Sequence, residues 1–151
     1  MPDVIPLNHY AQAFTLRYLA VTTNDPAVSR VMIVEIDDGA ALLFTYGSVF
    51  DGGCTSDFWF ESVADAVGCV LEEYAVSSTT WFATDDPPIY CQQDWITPVR
   101  VPGRESGNPI FGTLQLKVRD EWTEFNPERP PKIEIEYNLM TRLNDAPAAA
   151  L

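Results

Sequence analysis

Cationic side chains are missing from a long stretch of this 151-residue chain. Between Arg30 and Arg100 there is neither Lys nor Arg, while twelve carboxylates fall there, from Glu35 through Asp94. Overall 9 Lys and Arg stand against 22 Asp and Glu, a formal charge of −13. Residues 1–99 hold 14 acidic and 2 basic residues (−12), and residues 100–151 hold 8 and 7 (−1), so the field belongs to the first two thirds. That balance argues against direct nucleic-acid binding, which needs cations for the phosphates. No apolar run is long enough to span a bilayer, so no membrane association is expected.

Catalytic and metal-binding groups are also scarce. The one histidine, His9, sits between Asn8 and Tyr10 in a terminal segment poorly suited to hold an imidazole for catalysis. Cys54, Cys69 and Cys91 form no C-x-x-C pair, and reduced thiols are expected. Cys54, in a glycine-rich loop, is the most open of them to reactivity, but no cation lies near it in sequence to stabilise a thiolate. Phosphate-binding, dinucleotide, calcium-loop and H-E-x-x-H motifs are absent, so no cofactor and no metal is implied. Met1 to Leu7 lacks the basic and apolar features of a leader, which fits a cytoplasmic protein.

What is present is a foldable composition, 46% hydrophobic and 12% aromatic. The pattern predicts an α+β fold, a mostly antiparallel sheet of five to six strands packed by one main helix. Residues 12–23 read as a strand, and 30–36 and 40–46 as a hairpin turning at Asp37-Asp38-Gly39. The apolar run from Val31 to Ile36 predicts a central strand covered on both faces. Val63, Val67, Val70, Leu71 and Tyr74 form one stripe of a helix over 62–74, opened by Ser62 with Asp65 three residues on. Phe58-Trp59-Phe60 is a short strand or lead-in, and 98–102 an edge or connection confined by its prolines. Strands are expected over 113–118 and 132–139. The domain is expected to run over 1–143, with 144–151 a disordered tail. Trp59 and Trp81 are expected in the core, and Trp122 partly exposed.

Three functions fit this pattern. The first is a small acidic, non-catalytic protein-binding module that recognises a basic protein. In size, acidity and α+β pattern it resembles, by analogy alone, small immunity proteins and inhibitors of nucleic-acid enzymes. Its candidate binding residues are the paired carboxylates Asp37 and Asp38, Glu72 and Glu73, Asp85 and Asp86, together with Asp94, Trp95 and Arg100 of the distinctive segment 92–100. A solvated surface explains the same charges through solubility, and for the 92–100 segment the favoured reading is that Trp95 packs into the core while Asp94 and Arg100 sit in solvent or pair with each other. The second is a small-molecule-binding or hydrolytic domain with a carboxylate-containing pocket. The third is self-association of edge strand 132–139, which Lys132, Glu134 and Glu136 discourage. A monomer or homodimer is expected.

Overall fold

The computed structural model describes residues 17–21, 23–36, 39–77, 81–84, 87–135 and 141–142. Among these residues the main sheet joins six strands, β1 (Arg17–Ala20), β2 (Arg30–Glu35), β3 (Ala41–Tyr46), β5 (Ser56–Phe60), β6 (Phe82–Thr84) and β11 (Thr141–Arg142). Their order is β11-β6-β1-β2-β3-β5, every neighbouring pair antiparallel. Two smaller sheets complete the fold. One pairs β4 (Phe50–Asp51) with β10 (Ile133–Glu134), and the other joins β7 (Val99–Arg100), β8 (Leu114–Val118) and β9 (Glu121–Phe125). With the single α-helix found among the described residues, α1 (Val63–Tyr74), this is the expected α+β class.

The central hairpin follows from its residues. β2 and β3 pair from Arg30↔Tyr46 to Glu35↔Ala41, and Gly39 takes the positive φ (83°) that the reversal demands. Because side chains alternate along a strand, β2 sends Val31 and Ile33 into one apolar cluster and Met32 and Val34 into another on the opposite face. The first cluster is roofed by Val63, Ala66, Val67 and Val70 of α1, so the helix covers one face of the sheet. Ser62 caps that helix by accepting the Asp65 amide at 3.1 Å, and Ala75 closes it in the left-handed region at φ 57°. A third cluster, Trp95, Val99 and Leu116, lies under the small sheet.

The structure departs from expectation at several places. Trp81 is fully buried, but Trp59 is 60% exposed. Among the described residues β5 is the terminal strand of the sheet, and α1, which follows directly, lies over the face carrying Phe60 rather than the one carrying Trp59. β9, which lacks clean alternation, was not legible as a strand and proves to be one, with Trp122 half-buried. Of the strand expected over 132–139, Ile133 and Glu134 pair with β4 in a two-stranded sheet, and 136–139 lie outside the described residues. The same holds for 12–16 of the first strand and for the tail, 144–151.

Candidate functional site

β5 carries Ser56-Asp57-Phe58-Trp59-Phe60, followed by Glu61, and it is hydrogen-bonded to β3 alone among the described residues. The register sets Trp59 opposite Leu42 and Asp57 opposite Phe44, on the face away from α1. Phe58 and Phe60 lie opposite Leu43 and Ala41 on the helix face, where Phe60 packs and Phe58 remains 49% exposed. The outcome is two large aromatic side chains in solvent, Phe58 and Trp59, between two exposed carboxylates, Asp57 and Glu61.

Beside Trp59 the same face opens into a hollow of about 310 Å³, lined by Leu42, Phe44, Cys54, Asp57, Gln92, Gln93 and Asp94. Asp94 Oδ2 accepts the Cys54 amide at 3.0 Å, and the Asp94 carbonyl accepts the Tyr46 hydroxyl at 2.6 Å. The loop after β4 approaches closely because position 53 is glycine; a Cβ there would stand 3.3 Å from Asp94 Oδ2. Gln92 is oriented by Arg104, which donates to its Oε1 at 2.6 Å, and the buried Arg17 guanidinium donates to the carbonyls of Gln93 and Trp95. Two carboxylates and two amides thus line a partly apolar recess, a donor-seeking surface suited to an ammonium or guanidinium group.

The thiols show the same electrostatics. Cys54 is pushed up to about 12, first by burial and then by the Asp94 and Asp57 carboxylates. Cys69 is raised by burial and by Glu73 and Glu72. Burial raises Cys91 too, and outweighs the opposing pull of Arg100, Lys117, Arg17 and Arg104. All three are therefore held as thiols at neutral pH, weak nucleophiles.

The residues singled out in sequence are dispersed. Glu72 and Glu73 are exposed near the end of α1, while Asp37, Asp38, Asp85 and Asp86 lie outside the described residues. Asp94 lines the hollow, but Trp95 turns inward, buried against Phe125 with ring centroids 5.6 Å apart. Arg100 belongs to the small sheet, where it donates to Gln115 Oε1 at 3.0 Å, pairs with Glu105 at 3.6 Å and lies 3.9 Å over the Trp122 ring. The structure thus brings Asp94 together with Asp57, on the sheet face that also carries Trp59, and sequence reasoning had placed neither Asp57 nor Trp59 in a site. The signal available for them was an aromatic triplet flanked by the carboxylates of Asp57 and Glu61.

A larger hollow of about 490 Å³ lies between residues 47–55 and the 130–132 segment, with Arg30, Tyr46, Phe50, Asp51 and Lys132 in its lining. Its carboxylate is committed to structure: Asp51 Oδ1 accepts from Gly52 and Ile96 at 2.9 Å each, and Oδ2 from Thr97 at 2.6 Å. Among the described residues no group of three or more His, Cys, Asp or Glu is arranged to hold a metal ion, and no helix is long and apolar enough to cross a membrane. The chain matches no family model, no curated protein and no solved structure.

Proposed function

We propose that this chain is a non-catalytic binding module that recognises a basic protein through the β5 edge and the adjoining acidic hollow. The observation that carries the reading is Trp59, 60% exposed on a terminal strand between Asp57 and Glu61 and beside a recess that also holds Asp94. Tryptophan, with tyrosine and arginine, is enriched among the residues that anchor protein interfaces. An arginine from the partner stacks on its face and pairs with the neighbouring carboxylates. Glu72 and Glu73, with the paired carboxylates Asp37, Asp38, Asp85 and Asp86, add to the long-range field that steers such a partner. Three cysteines free of disulfides fit a cytoplasmic setting.

An arginine-rich peptide supplies the test, with binding followed by fluorescence anisotropy at low and raised salt. Trp59→Ala and Asp57→Asn are each expected to weaken binding about tenfold, the size of an interface anchor. Affinity untouched by both substitutions and by salt overturns the reading. A small-molecule function at the 490 Å³ hollow has less support, since its carboxylate is spent on three backbone amides.

A further inference from the structure

We infer that the basic partner is taken up as a β-strand, added antiparallel to β5 so that the sheet gains another strand. This rests on the reading just given and specifies its mode. The hydrogen-bond parity of the sheet supports it. Ile36 donates to the Ala40 carbonyl at 2.9 Å, which makes Ile36 and Ala40 a bonded pair. In an antiparallel ladder such pairs alternate, so the even-numbered residues of β3 bond to β2 and the odd-numbered ones turn to β5. The Thr55 amide, donating to Thr45 O at 2.8 Å, agrees with this parity. Leu43↔Phe58 and Ala41↔Phe60 are then the bonded pairs on the β5 side, and the amides and carbonyls of Asp57 and Trp59 point away from the sheet. These outward groups are the template for an incoming strand.

Side chains specify the incoming sequence. A residue paired with Trp59 places its side chain on the Trp59 and Asp57 face, next to the hollow, where arginine or lysine is complementary. Its two neighbours fall on the helix face beside the exposed Phe58, where an apolar β-branched residue packs. The occupant is therefore an extended segment alternating basic and apolar residues. A second copy of β5 is a poorer occupant in the registers centred on Asp57 and on Trp59. The first sets Asp57 against itself, and the second sets it against Glu61.

The test uses the whole chain and a short peptide alternating arginine and valine. Two N-methylated forms accompany it, one blocked at every arginine nitrogen and one at every valine nitrogen. Antiparallel addition directs the arginine amides at β5, so methylation there is expected to weaken binding by at least about tenfold, the loss of two or more net hydrogen bonds. The valine-methylated form is expected to bind like the parent. Hydrogen exchange at the Asp57 and Trp59 amides is expected to slow only with the parent and valine-methylated peptides. Equal binding by all three peptides overturns strand addition and leaves the acidic recognition surface standing. A glutamate–valine peptide that binds as well as the arginine one overturns the surface reading itself. A dimer that forms without peptide and protects the same two amides assigns the edge to a second copy and overturns the proposal.

Discussion

Cys54 shows how far two carboxylates and burial control a single side chain. Its ordinary value is 9.0 and in the fold it rises to about 12, so between these values the unfolded chain has lost a proton that the native chain keeps. The stability this contributes is complete below about pH 9 and disappears as pH climbs toward 12. Thiol titration with a disulfide reagent just below pH 9 is expected to find Cys54 slower than a free cysteine, and Asp57→Asn is expected to speed it by removing one negative neighbour. A rate equal to that of an unstructured thiol contradicts the assignment. Asp51 marks the opposite use of a carboxylate. Buried and accepting three backbone amides, it fastens β4 to the 96–97 turn, and Asp51→Ala leaves three part-buried donors without their acceptor. A loss of about 2–4 kcal/mol is expected by urea unfolding. By contrast Trp59→Ala, on an exposed side chain, is expected to change stability by no more than about 0.5 kcal/mol, which separates its effect on binding from one on folding.

Elements with strong periodicity were legible in the sequence. The 30–46 hairpin turned on an Asp-Gly step and the helix on a stripe at spacings of 3 and 4, and both stand within a residue or so of where the pattern put them. β9 was hidden because Glu121-Trp122-Thr123-Glu124-Phe125 is exposed at three of five positions and is held mainly by pairing with β8, which leaves no period to read. Strand order was hidden as well: nothing in Phe58-Trp59-Phe60 says that no further strand follows beside it. The helix ends provide a test at this scale. Ser62→Ala removes the acceptor of the Asp65 amide and is expected to cost about 1 kcal/mol. Ala75→Gly relieves a left-handed alanine and is expected to gain from a few tenths to about 1 kcal/mol. Thermal unfolding resolves both, at roughly 2–4 °C per kcal/mol for a chain of this size.

At the scale of the molecule, charge and contact do different work, and only the charge was readable beforehand. The cation-free stretch between Arg30 and Arg100 was plain in the sequence, whereas Asp57 and Asp94, 37 positions apart, line one hollow only because β5 pairs with β3 in the sheet and the 92–94 segment lies against the face that carries Leu42, Phe44 and Asp57. Kinetics can divide the two contributions. A field set by a net charge of −13 accelerates encounter and is screened within about 8–10 Å at physiological salt. Reversing Glu72 and Glu73 to Lys, exposed on the helix that covers the sheet face opposite Trp59 and Asp57, is therefore expected to slow association of the arginine-containing peptide several-fold at low salt, with dissociation unchanged. Trp59→Ala is expected to do the reverse, speeding dissociation with little change in association, because a stacked arginine is lost only after docking. Surface plasmon resonance at two salt concentrations measures both rates. If the Glu72 and Glu73 reversals and Trp59→Ala alter the same rate constant to the same degree, steering and anchoring are not separate functions of this surface, and its acidity serves contact alone.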